Sequence, residues 1–360
     1  MWKWFSVSTE TWGDKIELPS TEFSGGRRLN GGSSGSTTFN VGDPEVSEVV
    51  TYDTIDPIKR VLVAEWDGNA VYAGFITGIM EDIDAKTVTV KHKDIWWIWA
   101  HRYVLADRTN GAAAAAPVTW TARTLATLAN LVVAKGMDGD PVDRYEMPVI
   151  TTASVVGTET RTYYGYKFWT VEKALDELIK TDGGPDVDFD VRWGLGVEQI
   201  EWVMRSGDLT SGLWEWDATA EKKEVYNLQF ETNAEDVTDK VFGAGEGSEK
   251  KLLLREADSF SGSAAPALER AESYSGISDL TQLQNRTNAD LNLHNQPTQQ
   301  MSFKIPTYGV VRAGELILGG TCRVKTSGIR RLSAGWHDWR LIGFTFDHDW
   351  ITLQIQQIGG

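Results

Sequence analysis

The sequence contains one cysteine, Cys322, among its 360 residues. It can therefore form neither an internal disulfide nor a cysteine-based zinc site, and a reducing cytoplasm is the natural compartment for its folding. No run of 18 apolar residues occurs, and the N-terminal residues lack the apolar region and cleavage site of a signal peptide. We therefore expect a soluble, unprocessed chain without a membrane-spanning segment.

The motifs of common catalytic and cofactor sites are also missing. The five histidines are scattered, with no pair three or four residues apart: His92, His101, His294, His337 and His348. There is no G-x-S-x-G motif, and Cys322 has no adjacent histidine. The glycine-rich segment 242–250 lacks the Lys-Ser/Thr of a phosphate-binding loop, so we interpret it as a flexible turn. We predict no catalytic residue, no metal ligand and no cofactor-binding residue.

Three alternate aspartates, Asp186, Asp188 and Asp190, resemble the start of a calcium-binding EF-hand loop. That loop needs a glycine at its sixth position and a glutamate at its twelfth, where this sequence has Val191 and Val197. The apolar residues between the aspartates instead follow the two-residue period of a strand. We therefore predict that the aspartates form the solvated face of a half-buried strand.

The charge balance is acidic, with 51 acidic and 35 basic residues and a formal net charge of −16. Such a chain is unsuited to tight binding of nucleic acid, although it could line a conduit through which DNA passes. The sequence also has 16 tryptophans. They are expected to fill cores and subunit interfaces, and a carbohydrate-binding platform is the alternative.

The first part of the chain, residues 1–110, has the pattern of an antiparallel β module. Strand-like runs cover residues 37–41, 60–66, 70–80 and 86–92, and the Asp67-Gly68-Asn69 turn predicts a hairpin. The Gly/Ser-rich segment 24–36 is predicted to be a mobile surface loop.

An alanine-rich linker at 111–117 separates this module from an α+β unit, residues 111–217. Apolar residues at helical spacing predict one helix that ends at Gly136 and another that follows Thr170 as its N-cap. The strand that contains the three aspartates comes after the second helix, and strand-like residues continue to the end of the unit.

The remaining residues, 218–360, are predicted to form a second β module with a helical insertion at about 250–297. In the insertion, Ser278 fits an N-cap, and a thin apolar stripe predicts a helix on a surface or at an interface: Leu280, Leu283, Thr287 and Leu291. A hairpin across residues 347–349 ends the module. The two β modules are candidates for structural duplicates, although they share no visible sequence identity.

The order of these elements resembles a known family. The segments RRLNGGSSGSTTFNV, VLVAEWDGNAVYAGFITGI, WTVEKALDELI to DFDVRW, DVTDKVFGAGEG and VRAGELILGGTCRVKT are similar to the baseplate hub, or minor tail, proteins of siphovirus-type bacteriophages that infect actinobacteria. The resemblance implies two β-barrel-like tube domains alternating with α+β lateral domains. It also implies a homotrimer in the virion tail tip, which adapts the sixfold tail tube to threefold structures.

The same resemblance implies partners and a lack of catalysis. The expected partners are the distal tail or tail tube proteins, the tape measure protein and other minor tail proteins, with DNA passing through and no specific binding to it. The hub core of this family is inert, so no enzyme activity is expected. Two features have no family counterpart, the loop at 24–36 and the cluster Trp96, Trp97 and Trp99, and either could contact a neighbouring tail protein.

A second class of function remains open on the residues alone. Exposed tryptophans and a pair of carboxylates could bind or hydrolyse carbohydrate of the host cell wall, as Trp214-Glu215-Trp216 superficially suggests. This alternative predicts a cleft that holds two carboxyl groups and stacked aromatic rings.

Overall fold

The computed structural model describes residues 1–108, 116–181, 183–194, 199–222, 224–260, 266–274 and 277–358. Its strands are β1 (Trp2–Ser8), β2 (Ile16–Glu17), β3 (Glu22–Arg28), β4 (Ser34–Asn40), β5 (Arg60–Trp66), β6 (Asn69–Asp82), β7 (Thr87–Lys93), β8 (Val118–Arg123), β9 (Val149–Ile150), β10 (Glu159–Tyr163), β11 (Asp186–Trp193), β12 (Ile200–Gly207), β13 (Leu213–Asp217), β14 (Tyr226–Asn233), β15 (Lys240–Ala244), β16 (Leu254–Asp258), β17 (Glu269–Ser273), β18 (Thr298–Pro306), β19 (Thr321–Thr326), β20 (Gly335–Phe346) and β21 (Trp350–Gln357).

The α-helices are α1 (Pro44–Val49), α2 (Trp96–Trp99), α3 (Leu125–Gly136), α4 (Val142–Tyr145), α5 (Val171–Ile179) and α6 (Leu280–His294). The chain is therefore β-rich with an α+β architecture, which confirms the predicted fold class. None of the helices in the described ranges is long and apolar enough to cross a membrane. Residues 111–115 of the predicted linker and Val197 lie outside the described residues.

The N-terminal β module has the strand order β1-β5-β6-β7-β4-β3. The predicted hairpin is confirmed: Asp67 and Gly68 have φ values of 47° and 87°, which a primed two-residue turn requires, and Trp66 pairs with Asn69. β2 pairs with β1, and β3 follows β2 along the chain and pairs with β4. This segment bridges the two ends of the sheet and gives the module a barrel-like form.

The C-terminal β module repeats that order of strands, as β13-β19-β20-β21-β18-β14. Each strand corresponds by position along the chain to one of the N-terminal module, β13 to β1, β14 to β3, β18 to β4, and β19, β20 and β21 to β5, β6 and β7. The pairing is antiparallel throughout, except that β13 and β19 are parallel where β1 and β5 are antiparallel. The suggestion of structural duplicates is thus confirmed by the topology.

The two β modules join through β3 and β20 into one sheet of 13 strands. The prediction of a mobile loop at 24–36 is therefore wrong, because β3 and β4 occupy most of this segment. The glycines serve close packing: a Cβ on Gly25 would lie 2.6 Å from the Phe346 ring, and one on Gly26 would lie 2.4 Å from the Phe344 carbonyl oxygen. Glycine allows two backbones to approach at this junction.

The α+β module follows the N-terminal β module. Thr124 caps α3 and Thr170 caps α5 through their side-chain oxygens, as the sequence predicted for Thr170. The two helices contact each other, α3 packs on β12, and β12 pairs with β11. β13, predicted to be the last strand of this unit, instead pairs with β19 in the large sheet.

The insertion between β14 and β18 was predicted to be helical, and this prediction is only partly correct. β15, β16 and β17 form a three-stranded sheet, and α6, capped by Asp279 rather than Ser278, packs on it. Gly243 lies in β15 rather than in a flexible turn, and a Cβ there would lie 2.1 Å from the Thr287 hydroxyl oxygen. The stripe on α6 is buried against this sheet, except for Leu280.

Two hydrophobic cores lie on opposite faces of the sheet β1-β5-β6. One core is shared by the two β modules and includes Trp4, Leu62 and Tyr72. The other lies between this sheet and the α+β module and includes Phe5 and Val63. Both faces of these strands are therefore dry, which explains why their sequences are almost continuously apolar.

The tryptophan cluster at 96, 97 and 99 belongs to the second core. Trp96 and Trp99 are buried in α2, and both rings contact Phe189 of β11. Trp97 is half-buried and packs on Phe75. The expectation that this cluster contacts a neighbouring protein is thus wrong for Trp96 and Trp99, because the chain itself covers them.

His92 is a buried histidine that its neighbours hold in the neutral form. Its ring nitrogens lie 3.1 Å from the Thr37 hydroxyl and 2.9 Å from the Tyr72 hydroxyl, and burial lowers its pKa from 6.5 to about 3. As the pH falls, the His92 ring is protonated in the unfolded chain at a higher pH than in the folded protein. The free energy of unfolding therefore decreases as the pH falls below 6.5.

We predict that His92→Gln weakens the acid sensitivity of the fold. Between pH 6.5 and pH 5, protonation of the unfolded His92 removes about 2 kcal/mol of stability from the unmodified chain. Glutamine keeps a neutral polar group at this position but has no such proton. Denaturant unfolding at the two pH values measures the difference, and equal pH dependence in the two proteins would contradict the assignment.

Candidate functional site

The structure does not bring the possible metal and nucleophile residues together. In the described part of the chain, no group of three or more His, Cys, Asp or Glu side chains could hold a metal ion. Cys322 is fully buried in β19, and burial raises the pKa of its thiol. A buried thiol of this kind is unreactive, in agreement with its position in the shared core.

The prediction that the three aspartates of β11 form a solvated face is wrong for Asp186 and Asp188, whose side chains are 12% and 3% exposed, whereas the Asp190 side chain is partly exposed. Asp188 is buried, and the Arg27 guanidinium on β3 donates to its carboxylate at 2.6 Å and to that of Asp190. Arg205 of β12 lies 3.7 Å from the same Asp188 carboxylate. The first part of the polar face of β11 therefore packs on the large sheet, and its later residues Asp190 and Arg192 remain partly exposed.

Asp186, at the start of β11, extends this cluster to the C-terminal β module. It accepts from Arg340 of β20 and, at 3.1 Å, from the Asn30 amide. Asn30 also pairs with the backbone of Val187, through bonds of 2.7 and 3.0 Å. We call Arg27, Asp186, Asp188, Asp190, Arg205 and Arg340 the ion-pair junction. It ties the α+β module to both β modules close to where β3 meets β20.

Electrostatics and burial oppose each other in the junction. Burial raises the pKa of Asp188, and the neighbouring Arg27 and Arg205 counteract this shift. Burial also opposes charge on Arg27, but the carboxylates of Asp188 and Asp190 outweigh it and raise the Arg27 pKa. Because the acids and bases alternate across the interface, each buried charge has a partner.

A second buried carboxylate, that of Asp94, adjoins the junction. Arg27, Asp94 and Asp188 line a cavity of about 20 Å³ that has room for about one water molecule. Burial raises the pKa of Asp94 to about 7, although Ser33 and the Trp96 amide donate to it. Asp94 thus fixes the turn between β3 and β4 and the start of α2.

The large sheet has open edges that could pair with another chain. In the described ranges, β14 pairs only with β18, and residues 78–82 of β6 pair only with β7. Met80 is 57% exposed and Ile83, just beyond the strand, is 78% exposed. Open edges with exposed apolar residues favour association, because their backbone groups lack partners.

The tryptophans do not form a carbohydrate platform. All 16 lie in described residues, and Trp336 alone is exposed, at 48%. It borders a shallow surface depression with Glu215, Arg323 and Asp338. Both carboxylates there bind Arg323, which holds the pKa of Asp338 below its usual range. The expectation that tryptophans fill the cores is confirmed.

Sequence reasoning missed the arginines of the ion-pair junction. The pattern that could have indicated them is the match between the Arg27-Arg28 pair and the three alternate aspartates of β11. The two segments are about 160 residues apart in the chain, since Arg27 and Asp188 differ by 161 positions. Only the fold brings them together, and neither segment alone distinguishes an interface from a solvated face.

We predict that Asp188→Asn destabilises the fold by about 3 kcal/mol, because it removes the buried counterion of Arg27. Asp190→Asn is the matched control: the Asp190 side chain is 42% exposed, so its loss should cost less than about 1 kcal/mol. The double variant Arg27→Met/Asp188→Asn should recover part of the loss, because the buried Arg27 charge is removed together with its buried partner, and the charges left behind on Asp190 and Arg205 are partly exposed. Denaturant unfolding measures all three, and equal losses for the two single variants would contradict the buried pairing.

Comparison with known proteins identifies the fold. The sequence matches no protein-family model and no curated protein. The structure is similar to the tail protein from Neisseria meningitidis MC58, with a TM-score of 0.63 and 12% identity over 99% of this chain and 97% of that one. The 43 kDa tail protein of prophage MuSo2 from Shewanella oneidensis gives a TM-score of 0.61 with 11% identity, over 99% and 98% of the two chains.

A third similar structure is the prophage tail protein gp18 from Listeria monocytogenes EGD-e. It has a TM-score of 0.54 and 10% identity, with coverage of 99% of this chain and 95% of that one. At such low identity the likeness concerns the fold and not the residues. Along almost its whole length, the chain therefore has the fold of phage tail proteins.

Proposed function

We propose that this chain is a structural minor tail protein that forms a homotrimeric baseplate hub at the tail tip of a siphovirus-type phage. The observation that carries the proposal is the duplicated β module. Three copies supply six modules of one topology, and such a ring can match a sixfold tail tube above it while retaining threefold symmetry below. The similarity to phage tail proteins supports this function.

The proposed hub alternates tube and lateral domains. Residues 1–110 and 218–360 are the two tube domains, residues 111–217 are the lateral domain, and the insertion at about 250–297 extends the second tube domain. The proposed partners are the distal tail or tail tube proteins, the tape measure protein and other minor tail proteins. The hub is made in the cytoplasm of the host, an actinobacterium, and resides in the virion.

The proposed ring surrounds the channel through which DNA leaves. A net charge of −16 suits this role, because acidic side chains repel passing phosphates instead of retaining them. The chain binds no specific DNA sequence in this proposal, and it needs no metal or cofactor.

No catalytic role is proposed. A glycosidase needs one carboxylic acid of raised pKa beside a second carboxylate. At the exposed Trp336, the pKa of Asp338 is lowered and both nearby carboxylates bind Arg323, so this surface lacks the required acid. The structures similar to this chain are themselves described as tail proteins.

The proposal predicts the mass and symmetry of the purified chain. Light scattering should give three times the 40.0 kDa mass of one chain, and negative-stain class averages should show a threefold ring with a central opening. A compact monomer that is retained on, or hydrolyses, host cell-wall polysaccharide would instead favour the carbohydrate-active alternative.

A further inference from the structure

The joint between the two β modules has a defined register. β20 pairs with β3 in an antiparallel manner, with Gly343 opposite Arg28 and Thr345 opposite Gly26. The first half of β20 pairs with β19 on the same side, and β3 takes over where β19 ends. β3 of the N-terminal module therefore pairs with the part of β20 that β19 leaves without a partner.

The duplication shows which strands of the two modules are equivalent to this joint. β3 corresponds to β14, and β20 corresponds to β6. Both long strands carry an irregularity in their pairing with the next strand, between Ile76 and Gly78 in β6 and between Leu341 and Gly343 in β20. Aligning these irregularities makes Gly78 equivalent to Gly343 and Met80 equivalent to Thr345.

The same correspondence can be followed through β4 and β18 to the other side of the joint. Ser24 pairs with Ser36 in the first module, and Gln229 pairs with Ser302 at the equivalent place in the second. Gly26, two residues after Ser24, therefore corresponds to Glu231. Residues 230–233 of β14 are thus equivalent to residues 25–28 of β3.

β14 and the distal part of β6 are the equivalents of β3 and β20. Within the described residues, neither has a pairing partner on the side where β3 and β20 pair with each other. Residues 77–82 of β6 extend past the end of β5, whose last pair in this direction is Val61 with Phe75. β14 pairs with β18 on one side alone, and its core-facing side chains Leu228 and Phe230 remain only half-buried. The two open edges are complementary halves of a joint that the chain already makes once.

We infer that β14 of one copy pairs with the distal part of β6 of the next copy, so that residues 230–233 lie antiparallel to residues 78–81. This inference rests on the proposed trimer and names the surfaces that hold it together. The contact is head to tail, and it repeats the joint within the chain. Successive modules are then related by one kind of joint, so that three copies close a ring of six modules.

The joint between copies differs from the joint within the chain at one position, where the two modules have different residues. Phe346 of β20 stacks on Trp2 of the other module, with ring centroids 4.3 Å apart. Its equivalent in β6 is Glu81, one residue after Met80. The joint between copies therefore lacks this aromatic contact and should dissociate more readily than the modules within a chain separate.

Cysteine cross-linking tests the assignment. In the double variant Met80→Cys/Glu231→Cys, the two thiols should come together between copies and give covalent dimers and trimers that reduction reverses. They should not join within one chain, because six strands separate β14 from β6 in the sheet order. The native Cys322 is buried and contributes little background. The matched control is Met80→Cys/Glu215→Cys, which moves the second thiol to β13, the other open edge of the C-terminal module.

The outcomes separate this inference from the proposed function. Covalent trimers from the first variant and single chains from the control support the assignment. If light scattering shows trimers while the first variant does not cross-link, or while the control cross-links in its place, the assignment of edges is overturned and the trimeric hub stands. A chain that stays monomeric at its highest soluble concentration overturns both.

Discussion

The burial of the sheet β1-β5-β6 on both faces is the constraint on which the rest of the structure depends. Its one face completes the core shared by the β modules, and its other face carries Phe5, Val63 and Phe75 against the α+β module. Removing either layer would expose a row of large apolar side chains to water. The free energy of the fold would rise by roughly 25 cal/mol for each Å² of apolar surface exposed. The α+β module is therefore an integral part of the fold, and the three parts of the chain stabilise one another.

The ion-pair junction adds specificity to this packing. Apolar layers can slide over each other at small cost, whereas Arg27 satisfies both Asp188 and Asp190 in only one alignment of β11 on β3. Burying the charges costs desolvation energy that their attraction only partly recovers, so the gain is in the uniqueness of the arrangement more than in stability. The joint of β3 with β20 lies beside it, and Arg340 of β20 binds Asp186. Alignment of the lateral layer is thus coupled to alignment of the two β modules.

Local patterns in the sequence predicted most of the elements, because capping, helical periodicity and turn chemistry act over a few residues. The helix after Thr170, the strand after it and the Asp67-Gly68 hairpin are examples. The predictions were wrong where residues distant in the sequence determine whether a segment is buried. Segment 24–36 resembles a loop in composition, yet its glycines are needed for contact with β20, more than 300 residues later in the chain. The aspartates of β11 resemble a solvated face, because their partners Arg27 and Arg340 cannot be identified from local periodicity. The open edges could not be predicted, because they depend on the strand order.

In the proposed ring, the differences between the two β modules would have a function of their own. The turn from β3 to β4 takes five residues, whereas the equivalent connection from β14 to β18 contains the whole insertion with β15, β16, β17 and α6. The α+β module likewise follows β7 of the N-terminal module. In a ring of three copies, the barrel-like parts repeat six times but each of these additions repeats three times. One surface of the proposed ring can then present six similar modules to a sixfold tube, while the additions present a threefold pattern to the tip. In the proposed hub, a single duplicated chain would reconcile the sixfold and threefold symmetries, because its halves have the same topology and different insertions.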